Sequence, residues 1–386
     1  MLSCFDLYRI SAQLCKVKNK PDIAFGGMNM VFAGDFAQLP PVGGESVSLY
    51  SYRKPSDAGK YNGQCATIGK ALWHNITHVV ILRKNMRNTG MTDSDLKFRK
   101  ALENMRYKAC TKDDISFLNT LISSKAPGRP FIGVQPWRNA PIIVGENKYK
   151  DEINRLGCLR FSADTGQKLT NFYSDDTTSS NINIGQRPAT KKTNIHKHST
   201  ITRELQEHLW ELPTCSHEFH SPPVLALSIG LPIIIRHNVA TELSITKGQR
   251  GAVYGWHEGV GALGQRVLEV LFVLLDNPPT PIHVPELPPN VVPLTRRKTK
   301  GFVTLKNDVK ISITRSQVDI LPGFSMTAHA SQGQGFKTNA ADLNSLSDHH
   351  AIYTALSRSC TAGTTIILQG FDSRKITGGA SGQLRR

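Results

Sequence analysis

Three short segments carry side chains that could handle a phosphate group. Gly34-Asp35-Phe36-Ala37-Gln38-Leu39-Pro40-Pro41-Val42 follows an apolar run, residues 28–33, that reads as a buried strand. A glutamine held in the turn after a strand can hydrogen-bond a phosphate or its attacking water, and the stiff Leu-Pro-Pro continuation can pass its position on to a neighbouring channel. Gly-Asp and Pro-Pro are also ordinary turn signals. Arg87 closes Leu82-Arg83-Lys84-Asn85-Met86-Arg87, and Arg358 closes Tyr353-Thr354-Ala355-Leu356-Ser357-Arg358 on an expected helix. Taken singly, either arginine also reads as a solvated surface charge.

The elements around these segments suggest an α/β chain. Leu7, Ile10 and Leu14 repeat at helical spacing behind Ser3, a candidate cap, so an opening helix precedes the strand at 28–33. Helix, strand and loop in that order are the arrangement in which ligands sit at the carboxyl ends of parallel strands. Helices are expected at 94–105 and 112–122, and a strand at 141–145. A polar Ser/Thr/Asn-rich tract at about 165–200 reads as an exposed insertion. A helix at 201–212 leads into strands at 224–229, 232–236, 252–256 and 267–275. A Pro-rich loop at 278–293 interrupts them before strands resume toward Ile311 and Val318. These short strands suggest a small inserted barrel. A helix at 349–356 and a strand at 364–369 close the chain.

Composition narrows the partners. The 386 residues carry a formal charge of +17 and are 39% apolar, which fits buried cores and favours a polyanion such as nucleic acid. Small basic clusters stand at Lys191-Lys192, Arg296-Arg297-Lys298 and Arg385-Arg386. Seven scattered cysteines without a Cys-x-x-Cys pair suit a reducing compartment. No basic stretch precedes an apolar run at the N-terminus, and the apolar run at 224–235 is broken by Gly230 and Pro232. A soluble intracellular protein without a membrane partner is therefore expected. His196-Lys197-His198 and the set Cys215, His217, His220 lack a second ligand pair at zinc spacing, so no metal is assigned to them. Asn147 and Asn154 flank a helix start, where capping is the simplest role for at least one.

The ordered phrases GDFAQLPPV, LRKNMR, TKGQRGAV, SMTAHASQGQG and YTALSRS resemble motifs III to VI of superfamily-one DNA helicases of the PIF and RecD branch. The wording, including the closing Thr377-Gly378-Gly379-Ala380-Ser381-Gly382, is most similar to Helitron-type transposon helicases of fungi. The resemblance implies RecA-like P-loop NTPase lobes, the first incomplete, with an inserted small SH3-like β-barrel. It divides the chain into the end of the first lobe (1–88), the first part of the second lobe (89–252), the SH3-like insertion (253–318) and the closing part of the second lobe (319–386).

By the same resemblance, Gln38 senses phosphate, Arg87 reaches the γ-phosphate and Arg358 is supplied by the second lobe. A guanidinium aimed at a transferring phosphoryl group stabilises the charge that develops there. Gln332 and the backbone at Gly333 would face nucleotide, while Pro40, Pro41, Thr327 and His329 would face DNA. Many relatives have lysine at Ala330 and threonine at Gly335. Lys247-Gly248-Gln249-Arg250-Gly251 would introduce the insertion, which is expected to face DNA through charge and stacking, and Arg315 and Gln317 lie on the strand leaving it. ATP and Mg²⁺ are the implied cofactors, with single-stranded DNA and duplex junctions as partners. A nuclear or mitochondrial location and roles in DNA repair, recombination and telomere maintenance are implied only by the family.

Two expected parts are missing from the sequence. No glycine-rich loop ends in Gly-Lys-Ser/Thr: Gly59-Lys60-Tyr61 and Gly69-Lys70-Ala71 both lack the Ser/Thr hydroxyl. The Asp-Glu pair that holds Mg²⁺ in such motors is also absent, as if the chain began directly after it. An N-terminally truncated helicase is the first expectation, and a decayed transposon remnant that binds nucleic acid without hydrolysing ATP is the second.

Overall fold

The computed structural model describes residues 2–51, 59–82, 85–88, 90–178, 199–217, 220–243, 245–305 and 309–380. Contacts divide the chain into two compact units, one of residues 1–145 with 328–386 and one of residues 146–327.

The first unit begins with α1 (Cys4–Lys18), whose start is fixed by a capping box between Ser3 and Asp6. It packs on α2 (Tyr61–His74), with Leu7, Phe25 and Leu49 in the shared core and Phe32 and Trp73 against its edge. The crossing is close at Gly69, where a Cβ would stand 1.8 Å from the Cys4 carbonyl oxygen. Gly69-Lys70-Ala71 is thus a helix-packing sequence, and Lys70 Nζ donates to the Ser51 carbonyl. Thr92 and Thr111 build the same kind of box at the starts of α3 (Asp93–Arg106) and α4 (Lys112–Thr120).

The strand expected at 28–33 does not form. Val31 is 93% exposed, and no residue of this stretch joins a ladder among the described residues. Apolar content favours a strand only where a neighbour supplies hydrogen bonds, and that neighbour is not specified locally. Residues 76–82 behave alike, with Leu82 89% exposed.

β1 (Ile142–Val144) ends the first passage through this unit. The chain then enters the second unit through α5 (Asn147–Thr165). Neither Asn147 nor Asn154 caps it: the N-cap is Glu146, without a side-chain bond. Asn147 Oδ1 instead accepts from Lys150 Nζ at 3.0 Å, and Asn154 Oδ1 accepts from the amides of Phe324 and Ser325 at 3.1 and 2.8 Å.

The polar tract begins as structure, not as an exposed insertion. β2 (Thr170–Tyr173), β3 (Asp175–Thr178) and β4 (Ser199–Thr200) occupy it, and Phe172 is fully buried. Its middle, with Lys191-Lys192 and His196-Lys197-His198, lies outside the described residues, as do Arg83, Lys84, Ser381, Gly382 and Arg385-Arg386.

After α6 (Arg203–Glu211) come β5 (Val224–Leu227), which pairs with β2, then β6 (Pro232–Ile235), β7 (Arg250–Val260) and β8 (Arg266–Leu275). Gly248, at φ +92°, makes the turn between β6 and β7 and donates to the Ile235 carbonyl at 2.8 Å. β9 (Val291–Thr304) starts inside the expected Pro-rich loop, with Pro293 opposite Phe272, and β10 (Lys310–Val318) and β11 (Ile320–Pro322) follow.

These strands do not close on themselves. The order β11-β6-β7-β8-β9-β10-β3-β4 is an open antiparallel sheet, and no closed barrel occurs among the described residues. The cause is the length of β9, which pairs β8 through residues 291–295 and β10 through 296–304, carrying the sheet outward to β3. Its main core holds Leu225, Ile233, Leu271, Val273, Val292 and Phe324, among others.

β12 (Ser325–Thr327) ends the second unit, and α7 (Ala328–Ser331) opens the return to the first. There β13 (Asn339–Ala341) lies between β1 and β14 (Thr365–Ile367), both parallel to it, with α8 (His349–Leu356) between β13 and β14 in the chain. All eight residues of α8 are buried. No helix among the described residues is long and apolar enough to cross a membrane.

Candidate functional site

Within the first unit, α8 and the turn after it collect the phosphate-handling segments. The Gly34–Val42 loop is held first by its own aspartate: Asp35 Oδ1 accepts from the Ala37 amide at 3.0 Å, and Gln38 Nε2 donates to Asp35 Oδ2 at 3.3 Å. Arg106, the last residue of α3, clamps the same carboxylate with two bonds of 2.8 and 2.9 Å. Tyr353 of α8 completes the set, its hydroxyl 3.2 Å from Asp35 Oδ2 and 2.7 Å from Arg106 Nη1.

Two more α8 residues grip this loop. The Leu39 amide donates to Thr354 Oγ1 at 3.2 Å, and His350 Nδ1 donates to the Ala37 carbonyl at 2.9 Å. His350 Nε2 lies 3.2 Å from Glu45. Pro40 is half-buried and Pro41 buried beyond these anchors, whereas Val42 is 93% exposed.

The two motif arginines meet at Ser357. Arg87 Nη1 donates to the Ser357 carbonyl at 2.8 Å, while Asn88 Nδ2 donates to the Ser359 carbonyl at 2.7 Å. Asn85 Oδ1 accepts from the amides of Arg87 and Asn88, which shapes the short turn that carries them. Arg358, only 1% exposed, donates to the Thr354 carbonyl at 2.8 Å, the Gln334 carbonyl at 3.2 Å and Ser357 Oγ at 2.8 Å. Burial, and after it the charge of Arg87, pull Arg358 down to about 10, so it is still a cation at neutral pH.

Paired guanidiniums are the chemistry that binds phosphate, while Arg358 is enclosed here and its bonds run to carbonyls and a hydroxyl. It has charge to give and no carboxylate bound to it among the described residues. No group of three acidic, histidine or cysteine ligands occurs among the described residues.

Gln332 is half-buried and Gly333 exposed at φ +84° in the turn after α7. Gln334 contributes its carbonyl to Arg358, and a Cβ on Gly335 would come within 3.4 Å of Arg87 Nε. That is ordinary contact distance to a flexible side chain, so crowding does not account for the glycine there. His329 is exposed, and Thr327 is the last residue of the second unit. Gln38, Arg87 and Arg358 therefore share one neighbourhood with Gln334, whereas Thr327 stands outside this unit.

Sequence reasoning missed Arg106, His350 and Asn88. Arg106 lies 71 residues from Asp35 and 247 from Tyr353, and nothing in its helix sets it apart from an ordinary C-terminal cation.

Comparison with known proteins gives a family match over part of the chain. Residues 2–114 match the model of the PIF1-like helicase family. That PIF1-like segment contains Gln38 and Arg87, together with Asp35 and Arg106. No curated protein matches the chain. Among solved structures, the chain is similar to the Pif1 helicase from Candida albicans, with 17% identity and a TM-score of 0.60 over 100% of this chain and 73% of that one. It is also similar to a Bacteroides Pif1 bound to ssDNA, with 18% identity and a TM-score of 0.59 over 98% of this chain and 70% of that one. A Bacteroides Pif1 in complex with ADP-AlF3 and ssDNA gives 17% identity and a TM-score of 0.60 over 98% and 70%. These superpositions, at 17–18% identity, establish a shared mixed α/β fold.

Proposed function

We propose that this chain carries the arginine-bearing and DNA-tracking parts of an ATP-dependent DNA helicase, one that couples ATP hydrolysis to movement along single-stranded DNA and to unwinding. The observation that carries the reading is the convergence of Arg87 and Arg358 on Ser357, beside the loop that holds Gln38. When ATP is bound, its terminal phosphoryl group is the electrophile. Arg358 and Arg87 would stabilise the charge that develops on it, and Gln38 would orient the attacking water.

In the first unit DNA would meet Pro40, Pro41 and His329; Thr327 and the strands of 253–318 are separate candidates of the same reading, with the first lobe ending near residue 88 and the insertion spanning 253–318. The motif wording favours a Helitron-type affiliation, and a nuclear location goes with that reading. The similar Bacteroides proteins, captured with ssDNA and with ADP-AlF3, support both ligands as classes.

A second reading rests on a specific observation: the sequence has no Gly-Lys-Ser/Thr loop to cradle phosphates. On that reading the chain by itself binds single-stranded DNA without turning over ATP. The experiment measures DNA-stimulated ATP hydrolysis and single-stranded DNA binding by the purified chain, with Arg358→Ala as control. Hydrolysis lost in the variant establishes the motor. Salt-sensitive DNA binding without hydrolysis establishes the second reading, and the absence of both removes the helicase assignment altogether.

A further inference from the structure

The outer half of the large sheet, formed by residues 296–304 of β9 with β10, β3 and β4, has two unlike faces. One is closed. Val303, Ile311 and Ile313 pack there against Ile201, Leu209 and Leu212 of and around α6. Arg315 on β10 is bonded at 2.7 and 2.8 Å to Asp176 on β3, both side chains fully buried.

The opposite face is open, and the pleat decides what it carries, because residues alternate between faces along each strand. On β9 these are Lys298, Lys300 and Phe302, all exposed, with Phe302 at 48%. Ser316, Thr314 and Ser312 of β10 stand directly opposite them in the register. The next strand continues the rows with Asp175 opposite Ser316 and Thr177 opposite Thr314.

Charge on this face is one-sided. Asp175 is its one carboxylate among the described residues of these strands, and it is taken up by Arg296 at 2.5 Å and by Gln265. Lys298 and Lys300 have no ion-pair partner among the described residues. Two lysines on alternate residues thus stand about 7 Å apart along the strand, flanked by hydroxyl donors and followed by an exposed ring.

We infer that this open face binds single-stranded DNA, with Lys298 and Lys300 on successive phosphates, the β10 hydroxyls donating to phosphate oxygens and Phe302 stacking on an unpaired base. The inference rests on the proposed function for its ligand, and on the register and burial of β9 for its place. Lysine and hydroxyl contacts to phosphate carry no base preference, and an aromatic face accepts any base, so the surface would track a strand without reading it. A duplex keeps its bases stacked internally and offers Phe302 nothing.

The test uses the whole chain and a labelled oligo(dT), with binding followed by fluorescence anisotropy over a range of salt. Each phosphate neutralised on a single strand contributes about 0.7 to the slope of log affinity against log salt, so Lys298→Ala with Lys300→Ala should lower the slope by about 1.4. Phe302→Ser should weaken binding about fivefold or more with the slope unchanged. A matched duplex should lose nothing from the Phe302 change.

Wild-type binding with an unaltered slope in the double lysine variant overturns this inference and leaves the proposed function standing. Equal losses on duplex and single strand from the Phe302 change also overturn it. Failure of the unmodified chain to bind oligo(dT) at all overturns the functional reading, and this surface with it.

Discussion

Arg106 and Asp35 are joined by two parallel hydrogen bonds of 2.8 and 2.9 Å, and this pair ties the end of α3 to the loop that carries Gln38. The fork geometry matters because a guanidinium can hold both carboxylate oxygens while still reaching the Tyr353 hydroxyl. Lysine offers a single point of charge and cannot do both. Arg106→Ala should cost about 1–2 kcal/mol of stability, a range kept low because the Arg106 side chain is 37% exposed. Arg106→Lys should recover less than half of that, as read from urea unfolding midpoints. Full recovery by lysine would show that simple charge, and not the fork, makes the connection.

At the α1–α2 crossing the obstacle is backbone. A Cβ at Gly69 would meet the Cys4 carbonyl oxygen at 1.8 Å, a clash that no rotamer change relieves. Gly69→Ala gains helix propensity of about 1 kcal/mol in isolation. The helices must nonetheless separate to admit it, so the net effect should be destabilising by about 1–3 kcal/mol. A thermal midpoint equal to or above that of the wild type would mean that the helices do not cross this closely.

Much of the helical framework is written locally. Ser3 with Asp6, Thr92 with Asp95 and Thr111 with Asp114 each specify a start within four residues, and Leu7 and Phe98 follow at the right period. The strands are less legible because their hydrogen bonds come from elsewhere. Residues 28–33 have strand composition and no ladder, while β9 carries Pro293, the last proline of the expected loop, as its third residue. The same distinction holds at the site. Gln38, Arg87 and Arg358 stand out as ordered phrases, but Arg106 acts through partners far away in sequence, and Asn154 exchanges an expected cap for bonds to the Phe324 and Ser325 amides.

His349, at the start of α8, should make stability depend on pH. Burial, and after it the charge of His350, push its imidazole down to about 4, and its Nε2 has no hydrogen-bond partner among the described residues. In the unfolded chain a histidine titrates near about 6.5. Between these values the unfolded state binds more protons, so stability rises with pH across that window. The contribution is fully present above about pH 6.5 and is lost as pH falls toward 4. Urea midpoints of the wild type and His349→Gln, compared from neutral pH downward, should converge across this window. Parallel curves would show that His349 does not titrate differently in the two states.

The most demanding test of the second unit is the Arg315–Asp176 pair, which is completely buried. Removing one partner strands a charge in a medium that cannot solvate it, so Asp176→Leu should cost about 3–5 kcal/mol. The double replacement Arg315→Met with Asp176→Leu removes both charges, and for an isolated pair that would restore nearly all of the loss. Here the pair also serves neutral groups: Arg315 Nη1 donates to the Ser221 carbonyl at 2.9 Å, and Asp176 Oδ2 accepts from Gln206 Nε2 at 3.2 Å. Those groups would stay behind, buried and short of partners, at about 1–3 kcal/mol each. The double variant should therefore regain only part of the stability lost by the single one, and adding Gln206→Leu should regain more. Chemical denaturation of the three variants separates these terms. A double variant as stable as the wild type would show that the network beyond the ion pair contributes nothing.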